Sequence, residues 1–289
     1  MKKVFLFAIA ALMSASMFAA TEISCADAKA KIDAGDKNEW TVVGYVTAIQ
    51  EPPSPVYNSL SIWMADAADG GKVFEVYGLG YGESKLNIAP DDLPVIGDKI
   101  AVTTTLKKYT PTSGSPVYET DKISAFAQKQ KCDCIRYTEA NMTPVKFNSV
   151  AEAYQWGLDN LKAGEFSMQS YEVAGYIVGF AKNGAWKDNK ASFYMNDEVG
   201  VKSNFEGYKT VINESVEAGD YVKVSGWLQR YDGADFTTIE FVNGKGEKTV
   251  QAINNVNAEA VKAMKVIEDG QLFIIRNGVK YNAAGAIVK

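Results

Sequence analysis

Ser61-Ile62-Trp63-Met64-Ala65-Asp66 and Ser192-Phe193-Tyr194-Met195-Asn196-Asp197 are two versions of one phrase. Each alternates side-chain character residue by residue and closes on aspartate or its neighbour, the period-two pattern of a half-buried strand. On such a strand Ile62 and Met64, like Phe193 and Met195, share one face, and Trp63 and Tyr194 share the other. The methionine face is predicted to line an interior and the two rings to stand outside it.

The agreement runs outward in both directions. Val43-Gly44-Tyr45-Val46 matches Ala174-Gly175-Tyr176-Ile177, and Phe74-Glu75-Val76-Tyr77 loosely matches Phe205-Glu206-Gly207-Tyr208. Gly97-Asp98-Lys99-Ile100, with Leu106 and Tyr109 beyond, matches Gly219-Asp220-Tyr221-Val222, with Leu228 and Tyr231. Ser24-Cys25-Ala26-Asp27 and Ser149-Val150-Ala151-Glu152 are helix starts of the capping-box kind, with a serine oxygen for an orphan amide and an acid three residues on. Both helical stretches are predicted to stop at a glycine, Gly35 and Gly164. Landmarks repeated in one order mark an internal duplication. Each copy holds a short helix and about five strands, at residues 21–128 and 147–250, with a linker at 129–146.

A second linker, 251–265, precedes a tail at 266–289. There Asp269-Gly270 and Asn277-Gly278 separate apolar runs, which predicts β-hairpins. At the other end Lys2 and Lys3 precede an apolar run from Val4 to Met13 and small residues to Ala20, the anatomy of a signal peptide over residues 1–20. Thr21-Glu22-Ile23-Ser24 is a poor lead-in for a lipid anchor on Cys25. The expected protein is exported, whether secreted, periplasmic or held at the cell surface, with no transmembrane segment.

The strand with glycine between valines, the alternating strand closing on aspartate and the Gly-Asp entry to a strand bearing Leu106 or Leu228 resemble the OB fold of the nucleic-acid-binding type. The resemblance covers most of each half. With the tail, which is similar to type IX secretion sorting elements, the chain resembles exported tandem OB-fold proteins of Bacteroidota. It implies a mainly β protein of two five-stranded OB-like barrels, each preceded by a short helix, plus a C-terminal hairpin. That hairpin either addresses export machinery or packs as a simple structural element. The resemblance also places the ligand face on the middle strands and adjoining loops.

On that assignment Tyr45, Trp63 and Tyr77 form one aromatic platform, and Tyr176, Tyr194 and Tyr208 its counterpart. Aromatic faces stack on sugar rings and on bases. The formal net charge is −5 and no basic run extends beyond Lys107-Lys108, which opposes a polyanionic partner. A glycan or a protein is therefore the expected ligand, and single-stranded nucleic acid the alternative. Cross-strand packing is the structural role open to the same rings.

Zero histidine removes the commonest general base and the usual nucleophile pairs. No phosphate-cradling glycine motif is present. Asp66 and Asp197 match between copies and read as turn residues, so a carboxylate-dependent hydrolase is the remaining catalytic alternative, and the expectation is a non-enzyme without cofactor or metal. Of the cysteines Cys25, Cys132 and Cys134, two suffice for one bridge in an oxidising compartment. Two neighbouring thiolates without any histidine cannot make up a four-ligand zinc site, which favours a staple from Cys25 to the later pair over a redox or metal pair.

Overall fold

The computed structural model describes residues 20–84, 86–112, 114–249, 264–268, 271–276, 279–282 and 288. Residues 1–19 of the expected signal peptide and most of the expected second linker, 251–263, lie outside the described residues. The chain divides after Thr249 into two compact units.

The larger unit contains two closed rings of strands. After β1 (Glu22–Ser24) and helix α1 (Cys25–Asp33), the first ring comprises β2 (Glu39–Glu51), β3 (Ser59–Ala65), β4 (Phe74–Gly80), β5 (Lys99–Tyr109) and β6 (Val117–Gln130). Strand β2 pairs antiparallel with β3 and β5, β3 with β4, and β5 with β6. A parallel contact between β4 and β6 closes the ring, which leaves the barrel no free edge. Helix α2 (Glu139–Met142) and β7 (Val145–Lys146) follow.

The second copy has α3 (Val150–Asn160), β8 (Phe166–Phe180), β9 (Lys190–Asn196), β10 (Phe205–Val211), β11 (Tyr221–Asp232), β12 (Thr237–Val242) and β13 (Lys245–Lys248). Its ring closes by the same order, with β8 against β9 and β11, β9 against β10, β11 against β12, and β10 parallel to β12. The mainly β architecture of two barrels, each preceded by a helix, is the one the duplicated pattern predicts.

Alternation decides what fills the barrels. Ile62, Met64, Phe74, Val76, Ile100 and Val102 are fully buried in the first, and Ile177, Phe193, Met195, Phe205, Val222 and Phe241 in the second. Trp63 and Tyr194 are half-buried on the outer face. At about 25 cal/mol per Å2 of apolar surface, these interiors supply the main driving force for each barrel.

The helices begin as their sequences predict. Ser24 Oγ accepts from Asp27 N at 3.0 Å and Ser149 Oγ from Glu152 N at 3.0 Å. In the second copy the glutamate reaches back to Asn148 N, one residue beyond the cap. Helix α3 ends at Asn160 with Leu161 extended, so Gly164 lies in the following loop and is not the helix stop. The matched aspartates do more than turn the chain. Asp66 accepts from the amides of Cys25 and Ala26 at 2.6 and 3.2 Å, and Asp197 from those of Val150 and Ala151 at 2.7 and 3.0 Å. Each carboxylate thus takes up orphan donors at a helix N-terminus, where the dipole favours negative charge, and ties the helix to the second strand of its barrel. Gly44 and Gly175 leave room for this seat: a Cβ on Gly44 would lie 2.6 Å from Cys25 Sγ, and one on Gly175 2.5 Å from Val150 Cγ2.

That seat also corrects the expected staple. Cys25 is fully buried against Gly44 and remains a free thiol; burial, then the Asp66 charge, push its pKa up to about 12. The disulfide joins Cys132 to Cys134 instead, both resting on Ile96 and Gly97 at a different place on the barrel.

The segment between the barrels is an ordered clamp. Asp98, at the entry to β5, is fully buried and accepts from Val95 N, Cys132 N and both terminal nitrogens of Arg136, at 2.9 to 3.1 Å. Tyr137, 1% exposed, follows directly. Its ring meets Trp227 of β11 edge-on at 5.2 Å, and Trp227 Nε1 donates to Pro53 O at 2.7 Å. The second barrel therefore contributes a residue to the hydrophobic core of the first.

The smaller unit is an antiparallel sheet of β14 (Met264–Glu268), β15 (Gln271–Arg276) and β16 (Val279–Asn282). Glu268 pairs with Gln271 and Arg276 with Val279; the expected turn dipeptides Asp269-Gly270 and Asn277-Gly278 lie outside the described residues. The tail is a three-stranded meander rather than one hairpin. Among the described residues no helix is long and apolar enough to cross a membrane.

Candidate functional site

Register places one row of side chains across the outer face of each barrel. In the first, Ala48 of β2 opposes Trp63, Trp63 opposes Glu75, Glu75 opposes Glu119 of β6, and Glu119 opposes Lys107 of β5. In the second, Gly179 of β8 opposes Tyr194, Tyr194 opposes Glu206, Glu206 opposes Glu240 of β12, and Glu240 opposes Gln229 of β11. Directly opposed residues share a face. Each barrel thus carries an aromatic ring followed by two adjacent glutamates, ending on a lysine in one copy and a glutamine in the other.

These glutamates are outward-facing yet buried: Glu75 is 6% exposed, Glu119 4%, Glu206 8% and Glu240 8%. In the first barrel Lys107 Nζ lies 2.8 Å from Glu119, and that hydrogen bond raises the pKa of the lysine. Burial, then the charges of Glu119 and Glu51, push Glu75 up to about 7 against the pull of Lys72 and Lys107. Burial pushes Glu206 up to about 7, and burial together with the Glu206 charge does the same for Glu240. Desolvation and a like charge both disfavour the ionised form.

A carboxyl with a raised folded-state pKa holds a proton that the unfolded chain has already released. The stability it contributes is complete below the unfolded value near 4.5 and is lost as pH rises through about 7. The expected result is a melting temperature that falls between about pH 5 and about pH 8, with Glu206→Gln/Glu240→Gln flattening the fall. At about pH 8 the double variant is expected to be the more stable protein by on the order of 1 kcal/mol per group. Thermal melts across that range check it, and parallel curves for the two proteins would sink it.

The six expected aromatic positions divide. Trp63 donates from Nε1 to Gln50 Oε1 at 2.7 Å and has Lys72 Nζ 5.7 Å above its ring. Tyr77, 53% exposed, lies under Lys107 at 5.9 Å, and Tyr208 under Lys209 at 5.1 Å. Tyr194 stands beside Glu206 in the row. Tyr45 and Tyr176 sit on the seam of the first and fourth strands, where Lys99 covers one ring at 5.1 Å and Tyr221 meets the other edge-on at 4.9 Å. In the first barrel the three rings are each covered by a different lysine, Lys99 on Tyr45, Lys72 on Trp63 and Lys107 on Tyr77.

What the barrels do form together is a cleft of about 620 Å3. Gln50, Glu51, Lys72 and Ile96 wall it from the first barrel, Ile135 and Tyr137 from the clamp, and Phe166, Met168, Tyr208, Lys209, Gln229 and Asn243 from the second. Asn243 Nδ2 donates to Glu51 Oε1 at 3.1 Å across its base. Tyr208 is the one expected ring in the wall, while Trp63 donates to the wall residue Gln50 and has the ammonium of the wall residue Lys72 over its ring. Glu119, Glu240, Gln50 and Asn243 were not singled out by the sequence pattern. The glutamates sit at alternate positions in Val117-Tyr118-Glu119-Thr120 and Thr238-Ile239-Glu240-Phe241, and comparing the fifth strands of the two copies is the signal that finds them.

Compared with known protein families and with curated proteins, the chain matches no family model and no curated sequence.

Proposed function

We propose that this chain is a non-catalytic, exported binding protein of two OB folds that takes a neutral, hydroxyl-rich ligand such as a glycan in the cleft between its barrels. The order of strands, with the third parallel to the fifth and the first pairing both second and fourth, fits the five-stranded Greek-key barrel of the OB fold. The observation that carries the ligand class is the wall chemistry. Gln50, Gln229 and Asn243 offer amides that both donate and accept, Glu51 and Glu165 balance Lys72 and Lys209, and Tyr208 with apolar Ile96, Ile135, Phe166 and Met168 completes the wall. A cleft of about 620 Å3 suits a few sugar rings.

Single-stranded nucleic acid fits less well. The outer strand faces that an OB fold would offer to bases carry Glu75, Glu119, Glu206 and Glu240 in matched rows. Carboxylates there repel phosphate and supply no counterion release. Hydrolysis by paired carboxylates fits less well too, because the members of each pair lie side by side on neighbouring strands, whereas glycosidic cleavage uses two carboxyls flanking the bond. The leader sequence and the Cys132–Cys134 bridge support an oxidising compartment outside the cytoplasm. On the same reading the C-terminal meander is an export or surface-sorting address.

The mature chain is to be screened against a glycan panel and oligonucleotides at about 0.15 M salt, alongside Gln50→Ala/Tyr208→Ala. Retention of a neutral glycan, weakened about tenfold or more by the double variant, is the expected result. Salt-dependent oligonucleotide binding, or glycan binding indifferent to the two substitutions, would overturn the reading.

A further inference from the structure

We propose that the Glu206–Glu240 pair on the second barrel is a receptor for a primary ammonium group brought by a ligand. The first barrel shows the cation that one member of such a pair holds beside the other. There the row ends on Lys107, whose ammonium sits 2.8 Å from Glu119 and under 6 Å from the Tyr77 ring. The second barrel repeats the aromatic and both glutamates but puts Gln229 where the lysine stood. The amide nitrogen of Gln229 turns to Gly164 O at 3.3 Å.

Among the described residues neither the Glu206 nor the Glu240 carboxylate has a hydrogen bond or ion pair, although both residues are more than nine-tenths buried. The cations on the packed strands are engaged elsewhere. Lys190 lies over Tyr57, Lys209 over Tyr208, and Arg230 binds Asp232 and the carbonyls at the end of α3. The charged or titratable groups facing the pair are each other and Tyr194. Two desolvated carboxylates without a cation are costly, and an ammonium with three donors satisfies both at once. Gln229 also walls the cleft, as do Tyr208 and Val242 one step further along the same strands, so an amine arrives from that side. The site holds whatever else occupies the cleft.

The test titrates the full mature chain with propylammonium chloride, with the capped peptide acetyl-Gly-Lys-Gly-amide and with potassium chloride, read by NMR shifts of barrel-two amides. Saturable binding of the amines is expected at about pH 8, about tenfold weaker or more at about pH 5.5, where the carboxyls hold protons and the ammonium stays charged. Glu206→Gln/Glu240→Gln should abolish it. Gln229→Lys, which copies the first barrel, should abolish it and raise the melting temperature. A tighter fit to the peptide identifies a lysine side chain as the source, and equal affinities identify a free amine. No saturable shift with either amine, an equal response to potassium, or binding unchanged in Glu206→Gln/Glu240→Gln would each overturn the assignment; the last readout decides the matter even if Gln229→Lys does not fold.

Discussion

Trp227→Ala is expected to destabilise the larger unit by about 3–5 kcal/mol and to split one unfolding transition into two. The side chain is 2% exposed and belongs to the core of a barrel it does not help to build. Strand β11 buries Val222, Val224 and Leu228 inside its own ring, while Trp227 points the other way. That is the face period-two alternation gives it, since Val222, Val224 and Leu228 fall at even positions and Trp227 at an odd one. Truncation leaves a cavity beside Tyr137 and strips Pro53 O of its buried donor. Both losses fall on the contact that couples the barrels. Trp227→Phe keeps an edge-on ring and loses the indole donor, which should cost about 1–2 kcal/mol. Urea unfolding followed by circular dichroism checks both, and a single transition shifted by less than about 1 kcal/mol in Trp227→Ala would refute the shared core.

Asp98→Ala is expected to cost a comparable amount, about 3–5 kcal/mol, because it strands a charge as well as emptying space. Burial alone would raise the Asp98 pKa. The Arg136 guanidinium, with the amides of Val95 and Cys132, outweighs burial and holds the carboxyl below its usual range. Removing it leaves Arg136 at 17% side-chain exposure facing two unpaired amides. A depressed carboxylate contributes stability above its unfolded pKa and loses it as pH falls through the folded one, so the wild type should weaken below about pH 4. Asp98→Asn should lose less at neutral pH and show a shallower acid limb. Denaturant midpoints at about pH 7 and about pH 3.5 measure this, and equal acid limbs in both proteins would remove Asp98 from the account. Among the described residues the carboxylate of the counterpart, Asp220, bonds only Glu217 N and Lys248, so the second copy keeps the turn without the clamp.

The barrels were legible because their cause is local. Period-two alternation decides which of Ile62, Trp63 and Met64 turns inward, and a serine with an acid three residues on decides where a helix starts. What stayed hidden depends on pairing between distant strands. Glu75 and Glu206 were visible as outward residues, but their neighbours Glu119 and Glu240 arrive through the parallel third-to-fifth contact, which no short-range pattern reports. Asp66 and Asp197 looked like turn residues because the helix amides they hold lie some forty residues earlier. Trp227 keeps the Val222, Val224, Leu228 alternation and faces away from its own interior, but nothing local reports that it enters the core of the other barrel.

The bond from Trp227 to Pro53 spans 174 residues. A chain delivered N-terminus first, from a ribosome or through a translocation pore, therefore presents its leading barrel with a vacant socket long before the plug is made. Until β11 emerges, that apolar recess is wetted and adhesive, so the leading half passes through delivery as an unfinished intermediate that a holdase would recognise. A fragment ending before β11 should inherit the same stickiness for life.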